Sequence, residues 1–167
     1  YCKNIAWSIV NILGEIIGDF CKVILPIPEE YYLGNFNSSI AVCTLSSINL
    51  LKKFTNSEIL NHISIAGRLL SENKGIDTII EYVNNNQKIN TIIICGKEVW
   101  GHKAGHSLFQ LHQNGIDKNN KIINSTSPDP FLNVSKSKIQ YFQNNVNLVN
   151  MIDEIDFEVI SNKIKTF

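Results

Sequence analysis

The stretch that decides the fold is "TIIICGKEVWGHKAGHSLFQLH", residues 91–112, which runs from an apolar segment through a glycine-rich turn into a helical pattern. Residues 91–95 are dominated by β-branched side chains, as in a strand that is buried on both faces. Residues 103–113 have helical spacing, and the Asn114–Gly115 pair predicts where this helix ends. A buried strand, a turn and a helix in succession are typical of a parallel α/β sheet.

The same alternation extends in both directions from this stretch. "IAVCTL", residues 40–45, predicts the first strand, and a connector rich in Pro, Gly and Ser precedes it. The other predicted elements are helices over about 56–70 and from Gly75 onward, strands over 121–126 and 146–152, a helix over 135–145, and a final helix capped by Asp156. Together they predict an α/β protein with a Rossmann-like, mostly parallel sheet and helices on both faces.

The first 25 residues are apolar enough to suggest a membrane anchor. Asn11, Glu15 and Asp19 interrupt this run, whereas a membrane span needs about 20 largely uncharged residues. Isoleucines recur at helical spacing from Ile5 to Ile16. We therefore predict no membrane span, an amphipathic N-terminal helix over 1–25 that packs on the domain or on a partner chain, and one domain over 26–167.

Composition limits the kinds of partner. The formal net charge is +0, and charged residues make up 18% of the chain, below the roughly 25% that is usual. This balance disfavours nucleic acid and anionic membranes as partners, and favours a neutral molecule or another protein. The four cysteines form no C-x-x-C pair, which favours a reducing compartment, and we expect a cytoplasmic protein.

The turn after residues 91–95 is where a parallel sheet binds ligands, because helix N-termini meet strand ends there. The first strand is followed by "SSINLL" and not by G-x-G-x-x-G, and the chain has no P-loop, so NAD, FAD and nucleotide sites are disfavoured. His102 lies near a predicted helix start, where the helix dipole favours a neutral imidazole. Neutral imidazole is the form that binds metals, and the alternative is a solvent-facing or backbone-bonded histidine that only caps the turn.

Other side chains near this turn have two interpretations each. His102 and His106 are one helical turn apart and could form a zinc face, but neither H-E-x-x-H nor a third ligand is present. Glu98 is either a general base or a solvated carboxylate. Cys95 is either a reactive thiol or a buried one at a strand end.

Three longer strings carry a resemblance to a known family. They are "IAVCTLSS" at residues 40–47, "SENKGIDTII" at 71–80, and "IIICGKEVWGHKAGHSLFQLHQNGID" at 92–117, which contains the H-x-x-G pattern of corrinoid proteins. From about residue 26 to its end, the chain resembles the A subunits of tetrahydromethanopterin S-methyltransferase. These subunits carry the corrinoid in a complex of methanogenic archaea.

The resemblance implies a function in one-carbon metabolism and methanogenesis. It implies a cobamide, either cobalamin or 5-hydroxybenzimidazolyl cobamide, bound base-off with His102 as the lower axial ligand of cobalt. Cobalt then carries a methyl group from methyl-tetrahydromethanopterin to coenzyme M, with partner methyltransferase subunits and coupling to sodium pumping. No side chain of this chain alone is catalytic on this interpretation.

Further cofactor contacts follow from the resemblance. A ligating histidine normally donates its second N–H to an acceptor, and Glu72 is our candidate, with capping of the next helix as the alternative. We place Glu72 in a turn between two helices. Three glycines would leave room for the macrocycle: Gly96, Gly101 and Gly105. Three hydroxyls would bind its side-chain amides, those of Thr44, Ser46 and Ser107, and Phe131 would form one wall of the pocket. For each of these residues the alternative is ordinary turn chemistry.

The chain also departs from the family. Membrane-bound members continue into a linker and a transmembrane helix, whereas this sequence ends at "KIKTF", so we expect a soluble homologue. Corrinoid proteins with the H-x-x-G pattern have an aspartate two residues before the histidine, and Trp100 occupies that position here. The alternative function is therefore a non-catalytic module that stores or delivers cobamide, or one that binds only other proteins.

Overall fold

The computed structural model describes residues 31–167, in which five strands alternate with five α-helices. The strands are β1 Tyr31–Leu33, β2 Ile40–Cys43, β3 Ile65–Gly67, β4 Thr91–Gly96 and β5 Asn147–Ile152. The α-helices are α1 Ile48–Thr55, α2 Lys74–Asn85, α3 Ala104–Asn114, α4 Lys136–Asn145 and α5 Phe157–Ile164. A 3-10 helix, Glu58–His62, joins α1 to β3.

The strands form one sheet in the order β1-β3-β2-β4-β5. Strands β2 to β5 run parallel to their neighbours, and β1 pairs antiparallel with β3 at the edge. The predicted Rossmann-like, mostly parallel α/β fold is therefore confirmed. The chain leaves β2 towards β3 and leaves β4 towards β5, in opposite directions, so the carboxyl ends of β2 and β4 mark the topological switch point, the position at which sheets of this kind bind ligands.

Each face of the sheet has its own core, because alternate strand residues point to opposite faces. Ile92 and Ile94 of β4 pack with α2, α3 and α4 on one face. Ile93 and Cys95 pack with α1, the 3-10 helix and α5 on the other. All six residues of β4 are buried, which explains the apolar run that follows Thr91.

The predicted helix over 56–70 is wrong. This region contains the 3-10 helix and then β3, while the true helix, α1, lies earlier at residues 48–55. The helical spacing in this region comes from Ile59, Ile63 and Ala66, which all pack in the same core. They reach it from the 3-10 helix, from the residue that follows it and from β3, which lies between β1 and β2 in the sheet, and not from one helix. Edge strand β1 was not predicted, because its three residues lie inside the connector.

The predicted strand over 121–126 is also wrong. Only isolated bridges form there, between Ile122 and Ile116 and between Lys121 and Phe131. The Pro130 carbonyl accepts from the Ile122 amide, but Pro130 has no backbone N–H to donate in return, so a continuous ladder cannot form. The predicted elements at α3, α4 and β5 are confirmed, as is the Asp156 cap, whose side chain accepts hydrogen bonds from the Glu158 and Val159 amides.

The predicted amphipathic helix over residues 1–25 lies outside the described residues, and so does the proposed domain boundary at residue 26. Within residues 31–167, none of the helices has the length and apolar character that crossing a membrane requires.

A matched pair of glycines gives a stability prediction. Gly96 and Gly101 have nearly the same positive φ, +79° and +80°, but a Cβ at Gly96 would lie 2.3 Å from the Thr44 carbonyl oxygen, and a Cβ at Gly101 would meet nothing within 4 Å. Gly101→Ala should lower the free energy of unfolding by about 1 kcal/mol, from backbone strain alone. Gly96→Ala should lower it by more than about 3 kcal/mol, because the clash adds to the strain.

Urea denaturation of the two variants checks this prediction. Equal losses in the two variants would contradict the packing that we assign to Gly96.

Candidate functional site

The candidate residues gather at the carboxyl edge of the sheet. Ser46 follows β2, Glu72 follows β3 and His102 follows β4. The loop between α3 and α4 covers the same edge and brings Ser127 and Asp129 to the histidine turn and to Glu72. Because parallel strands end together, residues that are far apart in sequence form one site here.

Glu72 and His102 are in direct contact. The Nδ1 atom of His102 lies 2.8 Å from Oε2 of Glu72, as predicted from the sequence. The Glu72 side chain is 1% exposed, whereas the His102 side chain is 54% exposed. A carboxylate can only accept hydrogen bonds, so this contact places an imidazole proton on Nδ1, and in the neutral ring the lone pair is then on Nε2.

Glu72 does not cap the next helix, which was the alternative role. It lies between β3 and α2, so its predicted position between two helices is wrong. The amides of Lys74 and Gly75, at the start of α2, instead donate to Asn73 Oδ1 at 2.7 Å and to Ser71 Oγ at 2.9 Å. The second carboxylate oxygen of Glu72 accepts from the Asp129 amide at 3.0 Å.

The turn that carries His102 is held by Glu98. The Glu98 carboxylate accepts hydrogen bonds from the amides of Val99, Gly105 and His106, at 2.7, 3.1 and 2.8 Å. Glu98 therefore caps α3 from upstream, a role that neither sequence-based interpretation included. Lys103, just before the helix, takes a left-handed conformation with φ 46°.

The three candidate glycines differ in their surroundings. A Cβ at Gly105 would lie 2.9 Å from Glu98 Oε2 and 3.0 Å from Ile152 Cδ1, and Gly96 is similarly enclosed. Atoms of the protein itself therefore occupy the space beside Gly96 and Gly105. Gly101, next to His102, borders open space, so access for a flat ligand remains a prediction that fits Gly101 best.

Ser107 belongs to a buried group of hydroxyls. Its Oγ lies 2.7 Å from Ser125 Oγ and 2.6 Å from Ser127 Oγ. Ser127 in turn donates to the His102 carbonyl oxygen at 2.5 Å. The sequence singled out Ser107 but missed Ser125 and Ser127, for which the signal was the dense hydroxyl run "STS" in the loop.

The hydroxyls of Thr44 and Ser46 bind backbone carbonyls at the carboxyl ends of β3 and β4. The Thr44 hydroxyl donates to the Gly67 carbonyl at 3.4 Å, and the Ser46 hydroxyl donates to the Lys97 carbonyl at 2.7 Å. Arg68 adds a link from β3 by donating to the Ser46 carbonyl at 3.1 Å. A hydroxyl that donates once can still accept, so the predicted contacts with cofactor amides stay predictions.

Two aromatic side chains are exposed near this edge. Trp100, two residues before His102, is 95% exposed, and Phe131, two residues after Asp129, is 44% exposed. Large apolar side chains at such exposure leave apolar area in water that a ligand or partner can cover. The predicted role of Phe131 as a pocket wall remains a prediction.

Two further histidines and two thiols among the described residues have structural roles. His106 Nε2 accepts from the Thr126 amide at 3.4 Å, and His112 Nε2 lies 2.7 Å from the Val146 carbonyl oxygen. Burial raises the pKa of Cys43 to about 12 and also raises the pKa of Cys95. Cys95 is therefore protonated at neutral pH, as expected for the buried thiol and not for the reactive one.

A groove of about 540 Å³ lies at the opposite, amino-terminal edge of β4 and β5. It is lined by Asn90, Thr91, His112, Asn144, Asn145, Val146, Asn147 and Phe167. Ligands of parallel sheets bind at the carboxyl edge, so the candidate site remains the one at His102 and not this groove.

Comparison with known proteins gives one consistent result. The family model that describes the A subunits of tetrahydromethanopterin S-methyltransferase matches residues 24–167. The chain is 36% identical over 143 residues to the A subunit of the putative methyltransferase Mtx from Methanosarcina acetivorans, a match that covers 85% of this chain and 68% of the relative.

Two relatives come from Methanothermobacter thermautotrophicus, which has two A subunits of tetrahydromethanopterin S-methyltransferase, numbered 1 and 2. Identity to the first is 35% over 138 residues, covering 81% of this chain and 56% of the relative. Identity to the second is 32% over 149 residues, covering 84% of this chain and 79% of the relative. The chain thus matches only part of each relative, from a little over half to about four-fifths.

Proposed function

The chain belongs to the family of tetrahydromethanopterin S-methyltransferase A subunits, as its motifs predicted, and on this premise we propose that it is a cobamide-binding methyl carrier. The cobamide, either cobalamin or 5-hydroxybenzimidazolyl cobamide, is bound with His102 as the lower axial ligand of cobalt. Partner methyltransferase subunits supply the methyl donor and acceptor. From the names of the relatives we infer methyl-tetrahydromethanopterin as the donor and a thiol as the acceptor. The resemblance described above implies that this thiol is that of coenzyme M.

The observation that carries this proposal is the Glu72–His102 pair. A buried carboxylate 2.8 Å from Nδ1 fixes the tautomer of an imidazole that is itself half exposed. Metal-binding histidines commonly donate their second N–H to a carboxylate, which orients the ring and raises its basicity. A histidine that merely capped the turn would not need this arrangement.

A single metal-binding side chain, that of His102, also suits a metal that is already bound by a macrocycle. A corrin supplies four equatorial nitrogens, so the protein needs to add one axial ligand. Among residues 31–167, no group of three or more His, Cys, Asp or Glu side chains is placed to hold an ion by itself. His102 alone, with Glu72 behind it, fits the requirement of a cobamide better than that of a zinc ion.

When bound, the cobamide supplies a cobalt centre that accepts a methyl group and gives it up again. The residues of this chain bind and orient that centre. Glu98 and the capped start of α3 fix the turn, Glu72 holds the proton on His102 Nδ1, and Gly101 leaves space beside the ring. The free thiols of Cys43 and Cys95 favour the cytoplasmic location that we also propose.

Tryptophan fluorescence tests where the cobamide binds. Trp100 is 95% exposed and lies two residues from His102, so we expect cobalamin, which absorbs at the wavelengths of tryptophan emission, to quench most of its fluorescence in a saturable titration. The chain has two tryptophans, Trp7 and Trp100, so a Trp7→Phe background leaves the fluorescence of Trp100 alone. Quenching no greater than that of free tryptophan amide would contradict binding at this edge.

Methyl transfer separates a carrier from a storage module. The cobalamin-loaded chain is mixed with methyl-tetrahydromethanopterin, coenzyme M and the other subunits of the relatives' complex, and methyl-coenzyme M is measured. A methyl carrier supports turnover that depends on His102. A module for storage or delivery binds cobalamin but forms no product, and a module that binds only proteins does not bind cobalamin at all.

A further inference from the structure

One short loop segment touches both partners of the Glu72–His102 pair. It comprises residues 125–129, "STSPD", in the connection between α3 and α4. We propose that this segment, which we call the strap, is a positioning element for the axial histidine and that Ser127 is its central residue. The inference rests on the proposed function for its role in cofactor binding, but the contacts that define the strap belong to the protein alone.

The strap holds the backbone of His102 through Ser127. The Ser127 hydroxyl donates to the His102 carbonyl oxygen at 2.5 Å and approaches the Lys103 carbonyl at 3.3 Å. Ser127 is 9% exposed, so water competes poorly for this bond. A hydrogen bond in such a site has few alternatives and contributes more to rigidity than an exposed one.

The order of protons in the serine group follows from one constraint. Each hydroxyl has a single proton, and that of Ser127 is given to His102. Ser107 must therefore donate to Ser127 across 2.6 Å, and Ser125 must donate to Ser107 across 2.7 Å. The strap and the first turn of α3 are thus joined by a directional chain of hydroxyls that ends on the histidine backbone.

The strap also holds the side chain of His102, through Glu72. The Asp129 amide donates to Glu72 Oε1 at 3.0 Å, while Oε2 faces His102 Nδ1. Asp129 is itself fixed, because Asn73 donates to its carboxylate at 2.9 Å. The backbone and the ring of His102 are therefore positioned by the same five residues, and metal ligands must be held to within about 0.5 Å.

The strap contains its own control residue. Thr126 lies between the two serines, but it is exposed, and its hydroxyl accepts only from the exposed Lys103 ammonium, at 3.3 Å. Thr126→Ala and Ser127→Ala remove the same oxygen atom type from adjacent positions. Only the second removes a bond to His102.

The first test uses the protein without cofactor. In histidine-labelled protein, ¹⁵N NMR reports which ring nitrogen carries the proton. We expect wild type and Thr126→Ala to show His102 with the proton on Nδ1, and Ser127→Ala to show a mixture of the two tautomers. Identical His102 spectra in all three proteins would overturn the proposal. If Ser127→Ala fails to fold, as judged by circular dichroism, Ser127→Cys takes its place, because a thiol is only a weak hydrogen-bond donor to the His102 carbonyl.

The second test adds cobalamin and follows its visible spectrum. Ser127→Ala should weaken binding by about 10-fold, at the lower end of the losses seen for outer partners of metal ligands. Thr126→Ala should change it by less than about 2-fold, as for an ordinary surface substitution. At saturation Ser127→Ala should also show an incomplete histidine-bound spectrum, which a loss of stability alone would not produce.

The outcomes separate the two proposals. If wild type binds no cobalamin, the proposed function fails, and the tautomer spectra still decide whether the strap positions His102. If wild type binds and the two alanine variants match each other in affinity and spectrum, the strap proposal fails and the proposed function stands.

Discussion

Replacing His102 with alanine is expected to lower the affinity of the chain for cobalamin by more than about 100-fold, beyond the range seen when only an outer partner of a metal ligand is lost. The ligand itself is removed, and no other histidine faces Glu72 in the described part of the chain. The His102 side chain is 54% exposed, so the fold should tolerate its loss. Titration of visible absorbance with cobalamin measures the effect.

His106→Ala is the matched control for this experiment. His106 lies one helical turn further on, and its Nε2 accepts from the Thr126 amide at 3.4 Å instead of facing Glu72. We expect this variant to retain the histidine-bound spectrum. A comparable loss in both variants would indicate that the helix start, and not His102 in particular, determines binding.

The conservative change Glu72→Gln should weaken cobalamin binding by about 10- to 100-fold, the usual cost of losing the acceptor behind a metal-binding histidine. The two carboxylate oxygens accept one bond from His102 Nδ1 and one from the Asp129 amide. An amide has a single acceptor atom, so Gln can satisfy only one of these two donors. Should its NH₂ group face Nδ1, the ring proton moves to Nε2, and the nitrogen meant for cobalt is blocked.

Glu58→Gln provides the control for Glu72. Glu58 is exposed on the 3-10 helix, away from the carboxyl edge of β4. The same titration should give wild-type affinity for this variant. Unchanged affinity and an unchanged cobalt spectrum in Glu72→Gln would remove Glu72 from the site.

The central strands were predictable because burial on both faces leaves a clear sequence signature. Strand β2 is apolar throughout, and β4 is nearly so, with Thr91 as its one polar residue, since helices cover both faces of the sheet there. Strand β3 was missed for the opposite reason. It has three residues, two of them Ala66 and Gly67, and the neighbouring isoleucines have the spacing of a helix although they pack from a 3-10 turn and an extended segment.

The contacts of the candidate site were predictable where a motif indicated them, and not where they depend on how a distant loop folds. The Glu72–His102 contact joins residues 30 apart, and the need of a ligating histidine for an acceptor predicted it. Nothing in the sequence distinguished Ser127 from the other serines of its loop, because its role depends on how that loop folds over α3. Glu98 was similarly ambiguous, since a cap that acts from upstream has no fixed spacing.

The most direct test of the account is electron paramagnetic resonance of cob(II)alamin bound to protein labelled with ¹⁵N-histidine. An axial ¹⁴N nucleus splits the cobalt lines into triplets, and an axial ¹⁵N nucleus splits them into doublets. With unlabelled cofactor we predict doublets for the labelled wild-type protein and their absence in His102→Ala. Triplets in the labelled wild-type protein would mean that the cofactor keeps its own base, and would contradict axial ligation by His102.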